Sequence, residues 1–475
     1  MKRGIFMYSA IALTAFLVVA GLLRLGDWWL PSHGVRVLAT TGPSAVFTQM
    51  IDNARHPLPR LLLQLVVVVL SARALATAAK HLGQPPVVGE IAAGVLLGPS
   101  LLGWVLPSVS RFLFADASMS TLQLLSQIGV LLFMFVVGVE IDPALLRRKA
   151  HAAIAISHFS IIVPFTLGVA LAILLYTPYA PPGVPFYGFA LFVGIAMSIT
   201  AFPVLARILD ERHLRHTALG AIAIACAAVD DVTAWTLLAF LVAFVTARGA
   251  AATLFVIAMA SVVFVLAMVF VGRPFLQRVL APKESGRSLT KSQTAIVLAA
   301  LLTSALITES IGIHALFGAF IVGTVMPRDR EFRALLRDRL ESVSSVFLLP
   351  LFFVYTGLRT EVGLLRDMAS WATCLGIIAV ATAGKLGGTA VAARWTGFRW
   401  RDSIVLGALM NSRGLMELIA LNVGYDLGIL TPKIFTMMVL MALVTTAMTG
   451  PLLSLSLNWG RRRALPPQGP LPRSA

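Results

Sequence analysis

The chain has 475 residues, of which 58% are hydrophobic and 12% are charged, and its mean hydropathy is +0.89. Because soluble domains contain about 25% charged residues, this composition excludes a water-soluble fold and indicates a membrane protein. The net charge of +17 at pH 7 does not indicate a nucleic-acid partner, because the Lys and Arg residues stand between apolar segments.

Fourteen apolar segments approach the length of about 20 residues that a membrane-spanning helix needs. In chain order they are 5–23, 61–80, 85–107, 119–139, 151–176, 186–209, 217–246, 251–272, 290–309, 312–327, 342–358, 369–393, 402–424 and 433–456. The sequence therefore predicts an all-α polytopic membrane protein. Residues 1–60 are expected to form a retained anchor helix and an extracytoplasmic loop, residues 61–456 the membrane domain, and residues 457–475 a basic tail.

The basic residues predict the orientation of these spans. Of the 38 Lys and Arg residues, 26 lie in loops on one side of the predicted spans and nine on the other side. Since cytoplasmic loops carry the excess of Lys and Arg, both termini are predicted to be cytoplasmic, in a protein of the cell membrane. Three bases remain inside spans: Arg73, Lys385 and Arg413.

The segment 186–209 is interrupted by polar residues and a proline. Ser198 and Thr200 precede Pro203, which removes a backbone donor and clashes with the preceding helical turn. A helix broken in this way frees backbone carbonyls, and together with the Thr200 hydroxyl they are able to coordinate a cation. A kink without a binding role is the plainer alternative.

The segment 217–246 carries two adjacent carboxylates, Asp230 and Asp231. They lie about fourteen residues into the span, which at 1.5 Å per residue is about 21 Å into a hydrocarbon core of about 30 Å. Desolvation and mutual repulsion both disfavour the charged forms, so a proton is able to compete with a cation. Successive helical residues point about 100° apart, so the two carboxylates are expected to have different partners.

Two later segments contain the remaining intramembrane charges of interest. Lys385, in 369–393, is a suitable partner for the aspartates because a buried amine is able to release its proton; snorkelling to the cytoplasmic surface is the alternative. The segment 402–424 has a polar interruption at Asn411 and Ser412. Arg413 stays charged and is suited to holding structure, and Glu417 lies one turn on, within reach of an ion pair.

The two interrupted segments occur one in each half of the membrane domain. When the first two spans are set aside, the remaining twelve form two sets of six, each with one polar break. This pattern is typical of inverted-repeat transporters, in which broken helices meet near the bilayer midplane and bind ions there.

Several motifs resemble those of the monovalent cation:proton antiporter-2 family, nearest to its sodium/proton antiporters and plant cation/proton exchangers. The stretches are GQPPVVGEIAAGVLLGPSLLG, FMFVVGVEID, SITAFPVLARIL, AAVDDVTAW, HALFGAFIVGTVMP, LPLFFVYTGLRT and LMNSRGLMELI. The resemblance extends over about residues 60–455. It implies thirteen core spans in a six-plus-six inverted repeat, two crossing broken helices and a homodimer.

The resemblance also implies separate roles for the two aspartates. Asp231 is expected to bind the ion and Asp230 to form a salt bridge with Lys385. The chain is expected to stand apart from the related glutathione-gated potassium efflux systems, because it keeps the first aspartate and residues 457–475 are not expected to form a nucleotide-binding domain.

The sequence thus favours a secondary transporter that exchanges Na⁺ or K⁺ for protons by alternating access at Asp231. A passive cation channel on the same scaffold and a membrane sensor that transports nothing are the alternatives. An enzyme is not predicted, because no nucleophile and base stand together. No cofactor or bound metal is expected, and the partners are the cation, the proton and membrane lipid.

Overall fold

The computed structural model describes residue 53 and residues 56–140, 150–214, 217–246, 251–280 and 289–461. The predicted anchor at 5–23, most of the loop behind it and the tail from residue 462 lie outside the described residues. Two units are distinguished, Met1–Pro59 and Arg60–Ala475, and the second contains the functional elements described below.

All regular elements in the described part of the chain are helical. The first seven spans are formed by α1 (Pro57–His81), α2 (Pro86–Leu97), α3 (Asp116–Glu140), α4 (Ala150–Tyr179), the half-helices α5a (Phe186–Ser198) and α5b (Phe202–Glu211), α6 (Ala218–Thr246) and α7 (Ala251–Ala267). A π-helical turn, Met268–Gly272, continues α7 into a short helix, Arg273–Val279. Short helices at Leu102–Val105 and Pro107–Leu113 connect α2 to α3.

Six more spans follow. They are α8 (Lys291–Ile311), α9 (Ala315–Thr324), α10 (Leu349–Leu358), α11 (Met368–Trp395), the half-helices α12a (Trp400–Met410) and α12b (Leu415–Asp426), and α13 (Pro432–Arg461). A helix at Arg330–Val343 and a π-helical turn at Ser344–Leu348 lead into α10.

Each predicted segment from residue 61 onward contains a helix, so the all-α polytopic fold is confirmed. In the described residues ten helical stretches are long and apolar enough to cross a membrane, and the pair α12a and α12b, bent by 45°, makes an eleventh. The predicted spans at 186–209 and 312–327 contain shorter helices, α5a with 13 residues and α9 with 10 residues.

The helices pack into two bundles. The site bundle consists of α4, α5a, α5b, α6, α11, α12a, α12b and α13, and the scaffold bundle consists of α1, α2, α3, α8, α9 and α10. Helix α7, which stands between α6 and α8 in the chain, is assigned to neither bundle. The polar breaks of the two interrupted spans both lie in the site bundle.

Two glycine pairs bring scaffold helices into close contact. Gly94 of α2 meets Gly357 of α10, and Gly138 of α3 meets Gly323 of α9; a Cβ at any of the four would collide with the backbone of the partner helix. When the spans are counted as six, then α7, then six, α2 corresponds to α9 and α3 to α10. The two pairs are therefore equivalent places in the two halves, and each broken span is fifth in its set. This count differs from the sequence interpretation, which set aside residues 61–80, and the inverted repeat itself remains a prediction.

Candidate functional site

The two broken spans cross at their interruptions. The backbone N–H of Ala201 donates to the Ser412 carbonyl at 3.1 Å, and the Thr200 hydroxyl lies 3.3 Å from the Met410 carbonyl. Gly414 begins α12b at this crossing, where a Cβ would lie 2.7 Å from a side-chain atom of α5b. At the crossing, a backbone N–H of one broken span thus bonds to a backbone carbonyl of the other. Neither group has a partner within its own helix, and buried polar groups need one.

The sequence explains where each break falls. Pro203 is the second residue of α5b, a position at which a helix needs no backbone N–H. Ser198 is the last residue of α5a, and its hydroxyl donates to the Ile195 carbonyl at 2.9 Å. On the other span, the Asn411 side chain donates to the Thr445 carbonyl of α13 at 3.2 Å. The polar residues at both breaks thus fix the local backbone.

Asp230 is fully buried, and its carboxylate is surrounded by donors. Thr200 donates to Oδ2 at 2.7 Å, Ser160 donates at 3.3 Å, and the Lys385 ammonium donates at 3.0 Å. Ser157 donates to the other oxygen, Oδ1. These four donors occupy both oxygens of the buried carboxylate, as a buried polar group requires. The structure therefore joins Thr200 to Asp230, whereas the sequence interpretation placed it beside Asp231.

Lys385 uses all three of its N–H donors inside the bundle. In addition to Asp230, the ammonium donates to the Ser160 carbonyl at 2.9 Å and to the Ser198 carbonyl at 2.5 Å. The side chain has 0% exposure, so it does not reach the cytoplasmic surface. Lys385 consequently connects α11 to α4, to the end of α5a and to α6.

Asp231 is buried beside this pair, but it has fewer partners. The backbone N–H of Phe202, at the start of α5b, donates to its carboxylate, while Oδ1 has no hydrogen-bond partner among the described residues. A buried carboxylate oxygen without a donor is unfavourable unless a proton or a cation binds to it. Asp231 is thus the carboxylate of the pair with fewer hydrogen-bond donors among the described residues.

Arg413 and Glu417 form a second buried ion pair, 3.1 Å apart, at the start of α12b. The Arg413 guanidinium donates to the carbonyls of Ala196 at 2.9 Å and Met197 at 2.7 Å, in the last turn of α5a. It therefore ties one half-helix to the other.

Three residues that contact the site, Ser157, Ser160 and Thr446, were not among those selected from the sequence. Ser157 and Ser160 of α4 contact Asp230, and a spacing of three places them on one face of a helix. Two hydroxyls on one face of an otherwise apolar helix were the available signal. The Thr446 hydroxyl of α13 donates to the Arg413 carbonyl at 2.8 Å, and that contact depends on tertiary packing alone.

Comparison with known proteins gives a consistent result over most of the chain. Residues 66–459 match the family described as sodium/hydrogen exchanger, transmembrane. The chain is 42% identical over 393 residues to the Na⁺/H⁺ antiporter NhaS4 of Synechocystis, an alignment that covers 82% of this chain and 96% of that protein.

Longer relatives match over the same region. The chain is 40% identical over 397 residues to cation/H⁺ antiporter 17 of Arabidopsis thaliana, with 84% of this chain and 48% of the relative covered. It is 33% identical over 410 residues to K⁺/H⁺ antiporter 1 of Saccharomyces cerevisiae, with 85% and 47% covered. The chain thus spans about half the length of these two relatives.

The fold is similar to that of a solved antiporter. The structure of the sodium proton antiporter MjNhaP1 from Methanocaldococcus jannaschii matches with a TM-score of 0.58 at 13% identity, over 85% of this chain and 99% of the other. At that identity the match concerns the fold.

Proposed function

The chain belongs to the sodium/hydrogen exchanger family, and from this premise we propose that it is a secondary transporter that exchanges Na⁺ or K⁺ for protons across a membrane. The relatives are named as antiporters of sodium, potassium or unspecified cations against protons. The observation that carries the proposal is the buried Asp231 oxygen without a partner, one residue from an aspartate that is fully hydrogen-bonded.

In this mechanism Asp231 binds a cation or a proton, never both. The two ligands compete for the same carboxylate oxygen, so binding of one releases the other, which is the basis of exchange. Asp230 keeps its hydrogen bonds from Ser157, Ser160 and Thr200 while Asp231 changes its ligand. Lys385 links occupancy to protonation, since it is the one donor to Asp230 that is able to give up a proton.

The crossing of the broken spans supports alternating access. Asp231 lies on α6 beside the start of α5b, and Arg413 joins α5a to α12b, so the site is built from helices of a single bundle. Movement of the site bundle against the scaffold bundle would expose the same carboxylate to the two sides in turn. Location in the cell membrane, cytoplasmic termini and a homodimer remain part of the proposal, supported by the charge distribution and the resemblance.

The test uses purified protein in sealed liposomes that contain a pH-sensitive dye. An imposed Na⁺ or K⁺ gradient should drive protons in the opposite direction. This proton flux should occur without an added proton carrier in the membrane. The matched control is Asp231→Asn, which keeps the shape of the side chain and removes the charge; its flux should fall to that of empty liposomes.

Three outcomes would overturn parts of the proposal. Cation movement without proton movement would identify a channel. The absence of any flux from folded wild-type protein would favour a sensor. Undiminished exchange by Asp231→Asn would place the ion site elsewhere.

A further inference from the structure

A cluster of polar contacts joins the two bundles at the end that holds the α10–α11 connection. Arg359, the first residue after α10, donates to the Asn422 side-chain oxygen at 2.9 Å and to Asp426 at 2.5 Å. Its guanidinium also lies 4.2 Å from the centre of the Tyr425 ring. All three partners belong to α12b. A single side chain of the scaffold bundle therefore binds the half-helix that leads from the crossing to the surface.

Three further hydrogen bonds cross between the bundles at the same end. Gln123 of α3 donates to Asp426 at 3.2 Å, and Asn422 donates to the Thr356 hydroxyl of α10 at 2.8 Å. The backbone N–H of Glu361 donates to the Thr436 hydroxyl of α13 at 3.1 Å. By the distribution of basic residues this is the extracytoplasmic end. Arg359, Asn422 and Asp426 are named the outer latch below.

The outer latch lies next to a cavity between the bundles. The cavity is small, with room for about one water molecule, and is lined by Trp235 of α6, His314 and Leu316 near the start of α9, and Val423 of α12b. Val423 adjoins the latch residue Asn422 in sequence. Trp235 lies one helical turn from Asp231 on the outer side, so the cavity separates the latch from the ion site.

We propose that Arg359 is a positioning residue of the exchange reaction, which closes the outer side of the ion site by holding α12b to the scaffold bundle and must release it in every cycle. The inference rests on the proposed function and adds a residue to it. Arg359 is suited to this because its side chain is only 14% exposed, and a charge-assisted, two-pronged contact with stacking on an aromatic ring is strong when water is largely excluded.

A neighbouring ion pair provides a matched control. Lys433 of α13 and Asp367 at the start of α11 lie 3.3 Å apart at the same end of the molecule. Both residues belong to the site bundle, so their contact is unchanged when that bundle moves against the scaffold. Lys433→Met therefore removes one positive charge from the same end without releasing the latch.

The first experiment measures exchange in everted membrane vesicles, in which cations are added to the cytoplasmic face. Arg359→Ala should populate the state open to the outside, so the apparent KM for the cation should rise about fivefold, because fewer molecules present the site to the cytoplasm. Asp426→Asn should shift KM in the same direction, and the double variant should add little to either. Arg359→Lys should restore part of the effect, and Lys433→Met should match the wild type.

The second experiment measures access to the cavity from outside. In a chain with Cys226 and Cys374 replaced by alanine, Leu316→Cys is treated on intact cells with a membrane-impermeant thiol reagent. Arg359→Ala should increase the labelling rate about fivefold over the rate of the same Leu316→Cys chain with Arg359 in place. Lys433→Met carries the same change of charge, so it controls for attraction or repulsion of the reagent.

The two experiments separate failure of the latch from failure of the function. If Arg359→Ala and Asp426→Asn show the KM and labelling rate of Lys433→Met, the latch is wrong even when exchange is intact. If folded wild-type protein exchanges nothing, the proposed function fails, while the labelling experiment still decides whether Arg359 closes the cavity. A fall in the amount of folded protein with KM and labelling unchanged would assign Arg359 a structural role and also overturn the proposal.

Discussion

The site bundle contains two buried ion pairs that are alike in composition and differ in their surroundings. Lys385 with Asp230 and Arg413 with Glu417 each join a base to a carboxylate, and all four side chains have 0% exposure. The Asp230 carboxylate also accepts hydrogen bonds from three hydroxyls, one of which is that of Thr200. The Glu417 oxygens have no hydrogen-bond partner among the described residues other than their contact with Arg413.

We propose that this difference separates a pair that changes its protonation from a pair that holds the fold. Asp230 remains solvated by protein hydroxyls when the lysine loses its proton, so the Lys385 pair can be uncoupled without stranding a bare charge. Glu417 depends on Arg413, and a guanidinium does not deprotonate. In this proposal the Lys385 pair is a switch, and the Arg413 pair fastens the crossing of the two broken spans.

The largest effect on stability is expected when the buried pair of Arg413 and Glu417 loses one partner. Glu417→Gln leaves the Arg413 charge buried without a counter-charge, a change that typically costs about 3–5 kcal/mol. The variant should give much less folded protein and a lower thermal unfolding temperature in detergent, measured by size-exclusion chromatography after heating. A variant as stable as the wild type would contradict the assignment of this pair to structure.

The switching pair should respond in the opposite way. Lys385→Arg retains the charge beside Asp230 but does not release a proton, so folded protein should be recovered while the exchange rate at neutral pH falls about tenfold or more, equivalent to about 1.4 kcal/mol or more. Proton flux and thermal stability are measured on the same preparation. Full exchange by Lys385→Arg would show that proton release from Lys385 is not needed.

Removal of a hydroxyl that donates to Asp230 should reduce exchange less than Lys385→Arg does. Ser157→Ala removes the donor to Oδ1, and a hydrogen bond to a charged group contributes about 1.5–3 kcal/mol. Only part of that free energy should be lost from the exchange rate, because Ser160, Thr200 and Lys385 still donate to Asp230, so the rate should fall about threefold. Ser403 is also buried in this bundle and its hydroxyl has no partner among the described residues, so Ser403→Ala is the control and should behave as the wild type.

The smallest effect is expected at the surface pair, Lys433 with Asp367. Hydrogen bonds from the Ser370 side chain and backbone lower the pKa of Asp367 to about 2. A lowered pKa means that the stabilising contribution is present at any pH above the ordinary Asp value and is lost only as the pH falls towards 2. Asp367→Asn should therefore cause a small loss of thermal stability that is the same at every pH from weakly acidic to alkaline. A loss that changes across neutral pH would contradict this ionisation.

Much of this arrangement could be predicted from the sequence because charges are rare in apolar segments. Asp230, Asp231, Lys385 and Arg413 stand out on that ground alone, and hydropathy located the helices from residue 61 onward. The all-α fold and the family are confirmed. The role of each site residue stays a prediction.

The remaining features depend on tertiary contacts. The sequence did not indicate that Thr200 would contact Asp230, because the direction of a hydroxyl at a helix break is set by the crossing chain. It did not reveal that Ser157 completes the Asp230 shell, since a serine in an apolar helix usually bonds to its own backbone. Arg359 was counted only as one of the basic residues in extracytoplasmic loops.

The central claim is that Asp231 is free for the transported ion while Asp230 is committed to Lys385. The most direct test is equilibrium cation binding to purified protein, measured by calorimetry for the wild type, Asp231→Asn and Asp230→Asn. A double variant, Asp230→Asn with Lys385→Gln, removes both charges of the pair and serves if the single Asp230 variant does not fold. We expect Asp231→Asn to abolish binding and the Asp230 variants to retain it. Retained binding in Asp231→Asn with loss in the Asp230 variants would contradict the claim.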